Sequence, residues 1–192
     1  MEDRWSDQKA VEYVRNYSAR CGEDLALRIY LTLLLGANGN LVLHGGGNTS
    51  VKTTRRNILG ENVPTLFVKA SGQNMASLGP EGFTGLDLEY LKRLRSLPAL
   101  SDEDMLNELR THVVNCHSSA PSIDTLVHAF IPKKFIDHTH ADAILALTNQ
   151  CDGEELVRAA MGPDVLVLRY VQPGFKLAEA ALLLFVKIVV LC

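Results

Sequence analysis

The sequence lacks any Cys-x-x-Cys pair, and its four cysteines lie far apart at Cys21, Cys116, Cys151 and Cys192. Scattered cysteines exclude the usual ligand spacing of a structural zinc knot. A chain of 192 residues is long enough to bury a core without disulfide crosslinks. We therefore expect reduced thiols and a cytoplasmic location.

The chain also lacks a block of lysine or arginine, and its net charge is −3. These absences argue against a nucleic-acid partner. The charged N-terminus contains no apolar segment of the kind found in signal peptides. The long apolar run at 178–192 carries Glu179 and Lys187 and is shorter than the roughly 20 residues of a membrane span. We therefore expect no membrane partner.

Composition is that of an ordinary globular protein, with 47% hydrophobic and 21% charged residues. The sequence predicts one domain over 1–192. The apolar run at its end has no helix stop and no turn residues, which leaves two interpretations. It is either a core element at the end of the chain or the start of a part that is missing, and we favour a domain truncated at the C-terminus.

Hydrophobic periodicity predicts short strands mixed with helices. Helices are expected at 7–17, 23–36, 86–96, 102–115, from Ser122, at Gly153–Ala160 and after Gly174. Strands are expected at Leu41–Leu43, Asn48–Thr53, Thr65–Lys69, Val165–Leu168 and around His138. Ala143–Leu147 is a short apolar segment. This order favours a layered α/β domain with a mixed or antiparallel sheet.

His138 and His140 are two residues apart and follow the apolar pair Phe135-Ile136. On a strand, that spacing places both side chains on one face. Two neutral imidazoles on one face could bind a single zinc-type ion. The alternative is a pair of histidines without a metal, and the spacing alone does not decide between them.

Two glycine-containing segments follow predicted strands. In the first, Gly45–Gly47 precedes Asn48, and successive N–H groups there could form an anion-binding nest. A plain tight turn is the alternative. In the second, Lys69 precedes Ala70, Ser71 and Gly72 at a strand end, where ligand loops gather. The alternative, a turn with one solvated lysine, is the interpretation we favour for this segment taken alone.

Asp124 and His128 lie four residues apart and would share one face of a helix that begins near Ser122. Asp124 precedes His138 by 14 residues, so a short connection could bring the strand back beside it. A carboxylate beside two histidines could act as a metal ligand or as a general base. The alternative is that Asp124 caps the helix and His128 is packed and hydrogen-bonded. We prefer a packed role for His128, and the same applies to His112 and His117.

These four segments are the two glycine-containing segments, the Asp124/His128 segment and the His138/His140 pair. In their order along the chain, they resemble the class II aldolase/adducin family over about residues 20–175. Ser122–Thr125 with His128, and Asp137–Asp142, are most similar to the aldolase domain of bifunctional rhamnulose-1-phosphate aldolase/alcohol dehydrogenase proteins. The resemblance implies a three-layer α/β/α domain with a central, mainly antiparallel sheet. It also implies a homo-oligomer and a Zn²⁺ or other divalent ion held by three histidines, the third beyond the last helix.

Carried over by position, the resemblance assigns His138 and His140 to the metal and Asp124 to the catalytic carboxylate, which is commonly Glu in the family. It assigns substrate phosphate binding to five residues: Gly47, Asn48, Ser71, Gly72 and Ser122. The implied reaction is cleavage of a ketose 1-phosphate to dihydroxyacetone phosphate and an aldehyde such as lactaldehyde. Two alternatives stay open, a sugar-phosphate 4-epimerase and a non-catalytic, adducin-like interaction module.

Overall fold

A computed structural model describes residues 3–189 of the chain. Its helices are α1 Asp7–Cys21, α2 Glu23–Gly36, α3 Leu88–Leu94, α4 Asp102–Thr111, α5 Thr125–Phe130, α6 Asp142–Thr148, α7 Gly153–Met161 and α8 Phe175–Val189. Its strands are β1 Asn48–Arg56, β2 Asn62–Lys69, β3 Phe83–Asp87 and β4 Phe135–His138. Two short 3-10 turns, Met75–Ser77 and Pro80–Gly82, lie between β2 and β3.

The four strands form one antiparallel sheet in the order β3-β2-β1-β4. β1 lies inside the sheet, where Val51 is opposite Phe67 of β2 and Asn48 is opposite His138 of β4. Residues opposite each other in an antiparallel pair share a face. Asn48 and His138 therefore lie on the same face of the sheet, near the beginning of β1 and the end of β4.

Each face of the sheet is covered by helices, and each has its own hydrophobic cluster. On one face, Val51 of β1 packs with Leu25 and Ile29 of α2. On the other face, Leu66 and Val68 of β2 pack with side chains of α3, α4, α5 and α8. The alternation of side chains along β1 and β2 supplies both clusters. The prediction of an α/β domain with a central antiparallel sheet is confirmed.

Two predicted strands are wrong. Leu41–Leu43 is a turn and loop, because its carbonyls do not join a strand ladder: Leu43 accepts from the N–H of Gly46, and Leu41 accepts from the N–H of His140, which lies beyond β4. Val165–Leu168 has no regular secondary structure, and Leu166 and Leu168 are exposed. Both runs have strand-like composition, but within residues 3–189 neither has a neighbouring strand with which to pair.

Several element boundaries also differ from the prediction. The helix predicted from residue 86 begins at Leu88, because Phe83–Asp87 forms the unpredicted strand β3. The helix expected from Ser122 begins at Thr125, and the apolar Ala143–Leu147 lies within α6. Among residues 3–189, no helix is both long and apolar enough to cross a bilayer. The apolar run that begins at residue 178 forms part of α8 up to Val189, and Cys192 lies outside the described residues.

Candidate active site

Asp124 and His138 meet although they lie on different elements. His138 ends β4, and Asp124 lies in the turn that leads into α5. Asp124 Oδ2 is 3.5 Å from His138 Nδ1, and the two side chains are 17% and 42% exposed. α5 packs against the sheet face that also carries His138, which explains the contact. A carboxylate and an imidazole thus share one partly open position.

Asn48 and Ser122 fix the position of Asp124. Asn48 Nδ2 donates to Ser122 Oγ at 2.6 Å and lies 3.4 Å from Asp124 Oδ2. Ser122 Oγ also accepts from the backbone N–H of Asp124 at 3.2 Å. Asn48 and Ser122 are buried. The carboxylate is therefore held by buried polar groups while part of it faces solvent, as a group that exchanges protons with a ligand requires.

Asp124 is charged at neutral pH. The hydrogen bond from His138 lowers the pKa of the Asp124 carboxyl, partial burial acts in the opposite direction, and nearby His128 and Asn48 lower it further. Burial chiefly lowers the pKa of His140, helped by the charges of His138 and Lys69. His140 is therefore neutral at physiological pH, which is the form that binds metals.

His140 lies beyond β4 and is held by the loop before β1. Its backbone N–H donates to Leu41 O at 2.8 Å, and its ring centroid is 4.8 Å from that of His138. A side chain at Gly46 would come within 3.1 Å of His140 Nδ1. The glycine loop thus packs closely around the second histidine, and the two imidazoles are neighbours, as their spacing predicts.

The two glycine loops touch each other beside this pair. Gly47 and Gly72 both have φ near +70°, which favours glycine. A Cβ built on Gly45 would lie 3.3 Å from the Cα of Gly72, so the backbones approach directly. The N–H of Ser71 donates to Ala120 O at 3.0 Å, which links the second loop to the segment before Ser122. The five residues assigned to the phosphate therefore lie on three connected loops.

Lys69 is buried, so its interpretation as a solvated turn residue is wrong. The side chain is 1% exposed, and its Nζ donates to Gly45 O at 3.1 Å, Ala70 O at 3.4 Å and Gln73 O at 2.8 Å. Burial lowers the pKa of Lys69, and the charge of Asp124 opposes that shift. Sequence alone offered one clue, the position of this lysine at a strand end between two glycine-containing segments.

Two further polar contacts, one on each face of the sheet, hold the elements that carry the site. His128 Nδ1 lies 2.7 Å from Ser50 Oγ, and both residues are buried, which agrees with the packed role predicted for His128. On the opposite sheet face, Arg28 Nη2 lies 2.6 Å from Asp137 Oδ1. Arg28 is fully buried in α2, and this pair holds β4 next to the histidines. Sequence reasoning missed Arg28, because a helical arginine usually faces solvent.

His112 and His117 lie outside the site. His112 stacks on Tyr90 and its Nδ1 lies 2.9 Å from Glu108 O, which places it between α3 and α4. His117 is an exposed residue of the following loop. Neither histidine is brought to His138. His112 is packed, as predicted, whereas the packed role predicted for His117 is wrong because its side chain is exposed.

The donor atoms fit a divalent metal ion in part. Two neighbouring imidazoles, His138 and His140, suit two coordination positions of zinc. Within residues 3–189, no group of three His, Cys, Asp or Glu side chains is arranged to hold a metal. Asp124 contacts His138 and lies where it could orient that ligand rather than complete the set.

Three comparisons relate the chain to known proteins. Residues 28–190 match the family model of the class II aldolase and adducin N-terminal domain. The "uncharacterized oxidoreductase YuxG" of Bacillus subtilis strain 168 is 34% identical over 151 residues, which are 79% of this chain. The chain spans 22% of that relative's length.

Two solved structures have a similar fold. The N-terminal class II aldolase domain of a conserved Thermoplasma acidophilum protein is 36% identical and has a TM-score of 0.82. That match covers 96% of this chain and 81% of the other. YgbL from Escherichia coli is 16% identical, with a TM-score of 0.51 and coverage of 84% and 71%. The second likeness concerns the fold alone.

Proposed function

The chain belongs to the class II aldolase and adducin family, and we propose that it is a metal-dependent aldolase domain acting on a ketose 1-phosphate. The observation that carries this proposal is the approach of Asp124 to His138, with Asn48 and Ser122 holding the carboxylate. A binding module has no need of an ionised, partly exposed carboxylate fixed beside two histidines. A proton-transfer reaction does need one.

Asp124 would move the proton that the reaction requires. In retro-aldol cleavage, the bond between C3 and C4 of the ketose breaks, and the C4 hydroxyl loses its proton as C4 becomes an aldehyde. The electrons of the broken bond remain on the three-carbon fragment, which takes up a proton at C3 to give dihydroxyacetone phosphate. Asp124 is ionised because its pKa lies below its ordinary value, and its position beside His138 makes it the carboxylate placed to transfer such a proton.

The chain's other site residues would bind and orient the substrate. Gly47, Gly72 and Ser71 lie on loops whose backbones approach each other, which suits a phosphate group. His138 and His140 would hold the divalent ion, which when bound supplies a Lewis acid for the oxygens beside the breaking bond. A rhamnulose-1-phosphate-like substrate and lactaldehyde as the second product follow from the resemblance and remain predictions.

The curated relative is much longer than the part that this chain matches. The chain spans 22% of YuxG, whose name is that of an oxidoreductase. This agrees with the predicted similarity to bifunctional aldolase/alcohol dehydrogenase proteins, in which the aldolase domain is one part. The homo-oligomer and the cytoplasmic location also remain predictions.

The test measures cleavage of ketose 1-phosphates with added Zn²⁺, through the release of dihydroxyacetone phosphate. Asp124→Asn should lose about 10²–10⁴-fold in turnover, the usual contribution of a general acid–base group, while it keeps the metal content of the unaltered protein. Asp152→Asn, at an exposed acidic residue outside the site, is the control and should keep full activity.

His138→Ala should lower the bound zinc measured by elemental analysis, whereas His117→Ala should not. An unaltered protein without any ketose 1-phosphate cleavage would contradict the aldolase proposal. Epimerised sugar phosphate without cleavage would favour the 4-epimerase alternative. Absence of both activities and of bound metal would favour the adducin-like module. The observation that motivates this alternative is the incomplete set of metal donors in residues 3–189.

A further inference from the structure

The loop between β1 and β2, residues 57–61, is ordered and carries two exposed apolar side chains. Ile58 is 100% exposed and Leu59 is 78% exposed. Hydrogen bonds within the loop fix the backbone beneath them. Asn57 Oδ1 accepts from the N–H of Leu59 at 3.0 Å and from that of Glu61 at 2.9 Å, and the N–H of Asn57 donates to Glu61 O. This hairpin tip therefore holds Ile58 and Leu59 out in water in a fixed arrangement.

Positive charge lies directly beside the hairpin tip. Arg55 and Arg56 are the last two residues of β1, and Arg56 is exposed. Arg56 Nε donates to Gly60 O at 3.2 Å, which ties this side chain to the tip. Within residues 3–189, neither guanidinium has a carboxylate oxygen within 4.0 Å. Two arginines against one acidic residue, Glu61, leave the tip and its base net positive.

A cleft between α3 and α4 has the complementary apolar character. Its volume is about 440 Å³, and it is lined by three leucines, Leu94, Leu97 and Leu100, together with the acidic residues Asp104 and Glu108. Leu97 is 37% exposed, so the apolar lining is accessible from solvent. Burial of apolar side chains against such a surface is the main driving force of association between proteins.

Negative charge exceeds positive charge at this cleft. Arg93 is the basic residue of the lining, and its guanidinium lies over the Tyr90 ring, 5.0 Å from the ring centre. Asp104 accepts from Ser101 Oγ at 2.6 Å, and in the described part of the chain no basic side chain lies within 4.0 Å of it. α4 begins with three consecutive exposed acidic residues, 102–104. The cleft and its edge are therefore net negative.

The hairpin tip does not occupy the cleft of its own chain, because Ile58 is fully exposed. A tip and a cleft of complementary character on one molecule can meet only between copies. Such a contact is head-to-tail, and its repetition closes a ring or extends a filament. Opposite charges on the two surfaces would set the orientation in which they meet.

We propose that the hairpin tip of one copy inserts Ile58 and Leu59 into the α3–α4 cleft of a second copy of this chain. The arginines at the base of the tip then face the acidic beginning of α4. The predicted homo-oligomer leaves its interface unspecified, whereas this contact gives each chain two different surfaces, one for each neighbour. The contact is independent of the proposed catalytic function, because neither surface contains a residue of the candidate active site.

The experiment measures self-association of the 192-residue chain by analytical ultracentrifugation over a series of concentrations. Ile58→Asp and Leu97→Asp should each weaken association by about thirtyfold or more, because either would bury a carboxylate in the apolar contact. Val11→Asp is the matched control, at an apolar residue of α1 that is 66% exposed and outside both surfaces. Its association should stay within about twofold of the unaltered protein.

Urea unfolding checks that the variants fold. Ile58→Asp should unfold as the unaltered protein does, since the side chain is fully exposed. If Leu97→Asp does not fold, Leu97→Gln takes its place, and its polar amide should still weaken association. The expected loss in both folded variants, with none in Val11→Asp, supports the contact between tip and cleft.

Mixing the variants tests the head-to-tail arrangement. The Ile58→Asp protein retains its cleft, and the Leu97→Asp protein retains its tip, so the mixture has one competent contact. It should form a dimer with one copy of each variant and nothing larger. A mixture that stays monomeric would overturn the proposal, as would an unaltered protein that is monomeric throughout. Association lost in Ile58→Asp but kept in Leu97→Asp would show tip-to-tip pairing instead, and equal loss in Val11→Asp would show a non-specific effect.

Discussion

Acid should destabilise the protein through His128, a residue of α5 that packs against Ser50 of β1. The side chain is 1% exposed, and burial is the main cause that lowers its pKa to about 3. Among the charges that face it, Asp124 raises the pKa, whereas His138, Lys52 and Arg28 lower it. In the unfolded chain the pKa is about 6.5. Between these values the unfolded chain binds a proton that the folded chain excludes, so stability falls as pH falls.

The size of the effect follows from the two pKa values. Lowering the pH from 7 to 5 protonates most of the unfolded His128 and almost none of the folded form, which costs about 2 kcal/mol of unfolding free energy. His128→Gln retains a group able to bond Ser50 Oγ but does not titrate. The loss of stability between pH 7 and pH 5 should therefore be smaller in this variant by about 2 kcal/mol.

The assay is urea-induced unfolding of both proteins at pH 7 and pH 5. Groups other than His128 titrate in both proteins, so their effects cancel in the difference. His117→Gln, at an exposed histidine, shows what the loss of an imidazole at the surface contributes. If His128→Gln loses as much stability on acidification as the unaltered protein does, the buried, neutral state of His128 is refuted.

Three further changes probe the framework around the site. Gly47→Ala should lower the free energy of unfolding by about 1–3 kcal/mol and disturb the glycine loop, because its Cβ would lie 2.9 Å from His138 O at a positive φ. The control in urea unfolding is Gly39→Ala, whose Cβ would meet only a side chain, at 3.6 Å. Asp137→Asn should cost about 1–3 kcal/mol in the same assay, because it leaves the Arg28 guanidinium buried while the lost carboxylate was itself partly exposed. Leu109→Ala should cost about 2–5 kcal/mol through a core cavity, and a smaller loss would mean that the α4 contact repacks.

The sequence predicted the neighbourhood of His138, His140 and Asp124 because each step relied on local geometry. The two-residue spacing at a strand end gave the histidine pair, and a short connection could bring Asp124 back beside it. Lys69 was misassigned because its partners are backbone carbonyls of loops whose paths depend on the whole fold. The residue types near Lys69 in the sequence do not indicate that its ammonium group is buried.

Strand β3 shows why local patterns fail inside a sheet. Its sequence, Phe83–Asp87, contains Gly85, and glycine is depleted in strands. A Cβ there would lie 2.7 Å from Val114 Cγ2 and 2.8 Å from Phe67 Cε1, so the strand requires glycine for close approach. Conversely, the apolar Val165–Leu168 has the composition of a strand but no paired neighbour in the described part of the chain. Pairing partners, which are remote in sequence, decide both cases.

The hydrogen bond from Asn48 to Ser122 joins residues that are 74 positions apart in the sequence, and the contact from Asn48 to Asp124 joins residues that are 76 positions apart. Closing so long a loop costs about 4 kcal/mol in chain entropy, beyond the constant for any closure. By contrast, β1 and β2 form a local hairpin whose strands meet early at little cost. The carboxylate therefore reaches its place only when α5 and β4 have both joined that hairpin. Recovery of the site during refolding reports completion of the domain, not the appearance of its secondary structure.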